Sequence, residues 1–135
     1  HDYGVTTGRP RRCGWLDLVA VSYAARINGL TGISLMLLDV LDQFEKVKVC
    51  IGYQKPDGEV ITDFPADLDL LGECRPVYRE LEGWHTSITD CRDYEDLPAE
   101  AKAYVRVIEE FTGVPVRIVS VGPDREQTMI RGELF

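Results

Sequence analysis

Residues 5–12 read Val-Thr-Thr-Gly-Arg-Pro-Arg-Arg, with three arginines and two hydroxyls around one glycine. The arginine fork presents paired donors that match the oxygens of a carboxylate or a phosphate. Gly8 permits a turn that a side chain would block, and Pro10 stiffens the loop between Arg9 and the next two arginines. Threonine hydroxyls and free loop amides would complete a cradle for an anion. An exposed basic turn ahead of a helix is the plainer alternative. Two more places carry chemistry. Asp39 follows one apolar run, and Ser120-Val121-Gly122-Pro123-Asp124 closes another. In open α/β sheets, ligands sit beyond the carboxyl ends of parallel strands. A lone aspartate there can accept hydrogen bonds from the N1–H and N2–H edge of guanine. A Ser-x-Gly turn can offer a hydroxyl and close backbone amides to a base carbonyl. The pair would suit guanine and repel adenine, whose edge has the opposite polarity. The alternatives are a turn cap for Asp39 and a plain chain reversal for Gly122-Pro123.

Composition narrows the field. The 135 residues fit one domain, and 44% apolar content with a mean hydropathy of −0.14 can supply a packed core. A net charge of −8 and a pI near 4.7 argue against nucleic acid as an electrostatic partner. No apolar run approaches the ~20 residues of a membrane span. No basic-then-apolar leader precedes the first loop, so no signal peptide is expected. The chain starts at His1, and the basic stretch begins almost at once. It therefore reads as a piece of a longer protein, with any site here expected to be half a site. Cys13, Cys50, Cys74 and Cys91 form no Cys-x-x-Cys pair, so a metal knuckle is not expected. Cys50 reads as a small core residue, and reduced thiols are the expectation without a secretion signal. His1 and His85 lie far apart, and His85 reads as a surface residue of a polar loop.

The elements that must hold these residues follow from periodicity. A helix is expected over about residues 17–27, closed by Asn28-Gly29, with apolar stripes through Leu16, Leu18, Val19, Val21, Tyr23 and Ala25. The basic loop thus runs into a helix N-terminus, whose amides favour anions. Residues 32–38 form an unalternating apolar run, as in a strand covered on both faces. A short turn or half-helix follows at 40–44. Residues 46–53 alternate as a half-exposed strand, turn at Lys55-Pro56-Asp57-Gly58, and return over 59–62 as a hairpin. The acidic stretch 62–75 reads as a solvated loop without the pattern of a calcium site. A short strand is expected at 76–81, then a loop over 83–96 anchored by Trp84. Residues 98–112 carry the clearest helix, with Pro98 at its start and Gly113 at its end. A β-branched strand at 116–121, a tight turn at 122–125 and a last short strand at 128–130 complete the chain. No repeat, low-complexity segment or linker divides it.

Thr6-Thr7-Gly8-Arg9-Pro10-Arg11-Arg12-Cys13-Gly14-Trp15-Leu16-Asp17 closely resembles a signature of the adenylosuccinate synthetase family. Leu38-Asp39-Val40-Leu41-Asp42, Gly113-Val114-Pro115 and Ser120-Val121-Gly122-Pro123-Asp124-Arg125 resemble its later motifs, in the family's order. The resemblance covers essentially the whole chain and corresponds to roughly the last third of that enzyme. It implies an α/β fold, part of a P-loop-like, mainly parallel sheet with flanking helices and a β-hairpin extension. Residues 1–135 would be a single C-terminal portion of a longer enzyme whose N-terminal catalytic portion is absent. The family joins IMP to L-aspartate with hydrolysis of GTP.

By resemblance, Val5, Thr6, Thr7, Gly8, Arg9, Pro10 and Arg11 match the loop over aspartate and IMP. Arg9 and Arg11 would bind carboxylates, Arg9 would touch the IMP ribose, and Arg11 would also lie at the GTP site. Asp39, with Leu37 and Leu38 before it, matches the guanine-reading segment. Ser120, Val121, Gly122 and Pro123 match the turn that lines the base. Leu37 departs from the family's usual lysine, which keeps apolar cover for the base but loses an ammonium. The family's phosphate-binding glycine loop, catalytic aspartate and histidine, and Mg2+ ligands have no match here. The resemblance therefore implies an inactive fragment of a GTP-dependent ligase in AMP biosynthesis, cytoplasmic and homodimeric when whole, with no nucleic-acid or membrane partner. A stand-alone nucleotide- or dicarboxylate-binding module and a purely structural domain are the alternatives. The loop at residues 5–12 is expected to be mobile without its anion.

Overall fold

A computed structural model describes residues 3–6 by their backbone and residues 15–131. The chain forms two sheets with helices against them. The first sheet contains β1 (Tyr3–Thr6), β3 (Ile33–Met36), β7 (Val116–Ser120) and β8 (Thr128–Ile130), in that spatial order. The first three run parallel and β8 returns antiparallel. β3 is central, and its Ile33 and Leu35 are fully buried. Val116, Val119 and the fully buried Ser120 continue that core along β7.

The second sheet is built on β4 (Lys46–Gln54). One edge pairs antiparallel with β6 (Arg75–Glu82) along its length. The other edge is shared by β2 (Leu16–Asp17), parallel, and β5 (Val60–Ile61), antiparallel. The hairpin turn is the expected one, closed by the Gly58 amide donating to the Lys55 carbonyl at 2.9 Å. The sheet nearest the candidate residues is thus mainly parallel, and the second is mostly antiparallel.

Helix α1 (Leu18–Asn28) starts where Asp17 Oδ1 accepts from the Ala20 amide at 3.1 Å. The other oxygen of Asp17 accepts the Tyr53 hydroxyl at 2.5 Å, which ties the helix start to β4. Gly29 ends α1 with φ 61°, a left-handed conformation suited to glycine. Helix α3 (Ala99–Thr112) buries Ala101, Tyr104, Val105 and Ile108 and packs against α1. Trp84 is buried as expected, edge-on to Tyr104. Cys50 is a buried free thiol, and His85 is exposed.

Several boundaries differ from the sequence expectation, among them the strand expected over 32–38, which spans only Ile33–Met36. The acidic stretch 62–75 contains a helix, α2 (Leu68–Glu73), rather than loop alone. Asp67 caps it, its Oδ1 accepting from the Asp69 amide at 2.9 Å and the Leu70 amide at 3.3 Å. Leu71 packs beside the cluster of Val19, Cys50 and Tyr53. Charge alone hid this cap-and-anchor pattern. Leu16 lies in β2 rather than on a helical stripe, and Tyr23 is exposed, stacked on Phe64. Val5 and Thr6, assigned to the basic loop, instead extend β1, where pairing with β3 outweighs the weak local signal. The turn after β3 is a 3-10 turn at Leu38–Leu41, earlier than the expected 40–44.

Candidate functional site

The site is set by strand direction. β3 and β7 are parallel neighbours, with Leu35 opposite Val119, so both end at the same edge. β1 is also parallel to β3, with Thr6 opposite Met36, so the chain leaves β1 at that edge too. The Asp39 turn and the Ser120 turn are thereby brought side by side, as the strand-end reading required. Thr7, Gly8, Arg9, Pro10, Arg11 and Arg12, with the expectation of their mobility, lie outside the described residues. They follow in sequence from the β1 end at that edge.

Just past β3, Leu37 takes φ 58° and ψ 47°. A left-handed backbone costs an L-residue about 1–2 kcal/mol, and a bulky side chain is seldom found there. The kink turns the chain sharply out of the sheet into the 3-10 turn. Leu38 and Leu41 are buried beneath that turn and hold it down. The Val40 amide donates to the Leu37 carbonyl at 3.2 Å, and the Asp42 amide to the Asp39 carbonyl at 3.0 Å. Asp39 sits between these anchors. Its Oδ1 is buried without a hydrogen-bond partner, the one such side-chain atom among the described residues. Leaving a buried acceptor unmet costs about 1–3 kcal/mol, more when charged. Burial raises the Asp39 pKa above its ordinary value; its own backbone amide opposes the shift and Asp42 adds to it. The carboxylate is therefore not working as a helix cap through this atom.

On the β7 side, Ser120 Oγ donates to the Gly122 carbonyl at 2.8 Å. The hydroxyl proton is thus used inside the turn, not held out for a base carbonyl as the sequence suggested. The Val121 amide donates to the Gln127 carbonyl at 2.9 Å, and Val121 is fully buried. Gly122 is buried against the Gln127 carboxamide, where a Cβ would lie 2.4 Å from its atoms. Pro123 is exposed beside it. Gln127 Oε1 accepts from the Asp124 amide at 3.0 Å, and its Nε2 donates to the Thr89 carbonyl at 3.2 Å.

Two residues to which the sequence reading gave no role shape this edge. Asp42 accepts the Trp84 indole N–H at 2.6 Å through Oδ1 and the Ile88 amide at 3.0 Å through Oδ2. Gln127 grips the same loop one residue further on, at Thr89. For Gln127 a signal existed, since Asp124 and Gln127 have capping-box spacing. For Asp42 the sequence offers only a second carboxylate near the first.

Among the described residues, no group of three or more His, Cys, Asp or Glu is arranged to hold a metal ion. A cleft lined by Tyr94, Glu109, Val116 and Arg131 opens at the start of β7, away from the site edge. No helix among the described residues is long and apolar enough to cross a membrane.

Parallel strands ending together at a buried carboxylate and a glycine turn, backed by α1 and α3, define an α/β protein of P-loop-like architecture. The family model of adenylosuccinate synthetase matches residues 1–129. The chain belongs to the adenylosuccinate synthetase family, whose members are ligases of purine biosynthesis. It is 61% identical over 135 residues to the adenylosuccinate synthetase of Clostridioides difficile and 54% identical to that of Alkaliphilus metalliredigens. Each comparison covers 100% of this chain and 31% of the relative, so the chain spans about a third of the length of the relatives it matches. A solved structure described as the fully ligated adenylosuccinate synthetase of Plasmodium falciparum superimposes with a TM-score of 0.84 at 34% identity, covering 92% of this chain and 30% of that one.

Proposed function

We propose that this chain is the C-terminal portion of a GTP-dependent ligase that joins IMP and L-aspartate to form adenylosuccinate, and that it supplies the guanine-reading wall and part of the aspartate grip. The buried, partnerless Oδ1 of Asp39 carries this reading. An acceptor kept dry at a strand-end edge calls for a donor from outside the chain. The guanine N1–H and N2–H pair supplies two.

In this reading Leu37 covers a face of the base and Leu38 anchors the segment. Ser120, Val121, Gly122 and Pro123 line its other side, with the serine fixing turn shape rather than touching the base. Thr6 and Thr7 flank aspartate while Arg9 and Arg11 bind its carboxylates, with Val5, Gly8 and Pro10 completing that segment. Arg11 also reaches the GTP side. The catalytic aspartate and histidine and the Mg2+ ligands belong to the remainder of the enzyme, so residues 1–135 alone are inert. The whole enzyme is a cytoplasmic homodimer with no nucleic-acid or membrane partner.

The test is Asp39→Asn in the intact synthetase that contains this chain. A carboxamide presents one acceptor and one donor, so the match to guanine is lost and xanthine gains a partner for its 2-oxo group. GTP preference over XTP should fall about ten- to a hundredfold, the value of a hydrogen bond to a charged group. An unchanged nucleotide preference overturns the guanine assignment. Arg9→Ala should raise KM for aspartate far more than KM for GTP, and equal effects overturn the loop assignment.

A further inference from the structure

The two walls of the candidate guanine site belong to different elements and share no covalent route shorter than the whole of α3. Backbone packing places the 3-10 turn at Leu38–Leu41 against β7. A third segment joins them through side chains. Asp42, one residue beyond the buried Leu41, holds Trp84 and Ile88 with its two carboxylate oxygens. Gln127, whose backbone carbonyl accepts from Val121, holds the Thr89 carbonyl with its Nε2. Trp84 and Ile88 are buried, so the segment is itself seated in the core. The Arg92 guanidinium donates to the same Thr89 carbonyl at 2.7 Å and to that of Cys91 at 3.0 Å, which folds the segment's far end back on itself.

We propose that residues 84–89 are a brace, and that Asp42 and Gln127 are positioning residues that grip it from opposite sides and so fix the distance between the Asp39 turn and the Ser120–Gly122 turn. The inference rests on the proposal that those turns flank guanine. Neither side chain needs to touch the nucleotide. Asp42 hands the brace to the Asp39 turn. Gln127 hands it to the base-lining turn, and its carboxamide also fills the space that Gly122 leaves open. A base held between two independently moving turns would be read poorly, because a loose wall admits water and alternative edges.

The test compares steady-state kinetics of the intact synthetase carrying Gln127→Met, Gln127→Glu or Asp42→Asn. Methionine keeps the length of Gln127 and removes both side-chain hydrogen bonds. It should raise KM for GTP about tenfold while KM for IMP and aspartate stays within about twofold and kcat at saturating GTP is kept. Glutamate keeps the acceptor for the Asp124 amide but sets a carboxylate oxygen against the Thr89 carbonyl, so its KM for GTP should rise at least as far as that of Gln127→Met. Asp42→Asn, with one acceptor in place of two, should also raise KM for GTP selectively. A KM for GTP unchanged in all three variants, or an equal rise for all three substrates, overturns the brace. Asp39→Asn separates the two proposals. If it relaxes nucleotide preference while the brace variants do nothing, the guanine site stands and the brace falls. If it leaves preference unchanged, the guanine site itself falls.

Discussion

Gly122→Ala tests the shape of the turn after β7 without any ligand. Gly122 does not need a left-handed backbone, since it is not among the described glycines with positive φ. Its constraint is space. A Cβ there would lie 2.4 Å from Cδ, Oε1 and Nε2 of Gln127, closer than real contacts allow. The carboxamide must swing away, and its bonds to the Asp124 amide and the Thr89 carbonyl are lost with it. At about 1 kcal/mol each, the two losses sum to about 2 kcal/mol of folding stability. Alanine returns about 0.5 kcal/mol by restricting the unfolded chain. A double-mutant cycle removes that offset. In a Gln127→Ala background there is no carboxamide to displace, so Gly122→Ala should cost almost nothing or stabilise slightly. Urea unfolding of the parent, both single variants and the double variant gives the coupling directly, and about 2 kcal/mol is expected. Additive effects, with coupling below about 0.5 kcal/mol, would refute the claim that Gly122 is glycine because of Gln127.

Tyr53→Phe should cost about 2 kcal/mol in urea unfolding, because the hydroxyl is lost from Asp17 Oδ2 while the Asp17 cap on Ala20 remains. Burial pushes the Cys50 thiol up to about 11, with Asp17 adding to the rise, so at pH 8 Cys50 should resist alkylation until the protein unfolds. Mass spectrometry of native protein treated with iodoacetamide should find Cys74, which is half-buried, modified well before Cys50. Asp39→Asn should change stability with pH as well as nucleotide preference. Burial raises the folded-state pKa of Asp39, so the folded protein keeps that proton over a range where the unfolded chain has lost it. The stability linked to that proton is complete below the ordinary value of 3.8 and is lost as pH rises through the folded value. Urea unfolding should therefore show Asp39→Asn gaining on the parent from acid to pH 7, and a constant difference would refute it.

Local chemistry was legible where one residue type decides the outcome. Gly29 and Gly113 end their helices in left-handed conformations, Asp57-Gly58 turns the hairpin, and the β-branched run at 116–120 forms a strand. The two strand-end turns were legible only approximately, since the apolar runs stop at Asp39 and Gly122 whereas the strands end at Met36 and Ser120. What depends on pairing between distant segments was not. β1 and the two-residue β2 exist because β3 and β4 offer them free edges, and neither carries a strong pattern of its own. The bond from the Ser120 hydroxyl to the Gly122 carbonyl was not legible, because composition shows a hydroxyl but not which acceptor lies nearest to it. The contacts of Gln127 and Asp42 were not legible because their partners lie 38 to 46 residues away.

The charge on this chain gives the site its logic. The protein carries a net charge of −8, and Asp39 at this edge is one more carboxylate, half-buried and with no hydrogen-bond partner at Oδ1 among the described residues. A site built to hold phosphate would place positive charge or free helix amides there, as anion sites do. In the proposed reading, Asp39 instead raises the cost of bringing an anion close and rewards a neutral ligand with two N–H donors on one edge. A nucleotide satisfies both conditions only if its base enters at Asp39 and its phosphates point elsewhere. The β1 edge, from which Arg9, Arg11 and Arg12 follow in sequence, lies on the far side of β3 from the Ser120 turn. Reversing the charge at Asp39, as in Asp39→Lys, should therefore not strengthen nucleotide binding by attracting phosphate. It should abolish guanine preference and leave phosphate affinity unimproved. Tighter binding of inorganic triphosphate to the intact Asp39→Lys enzyme would show that the edge reads charge and not a base.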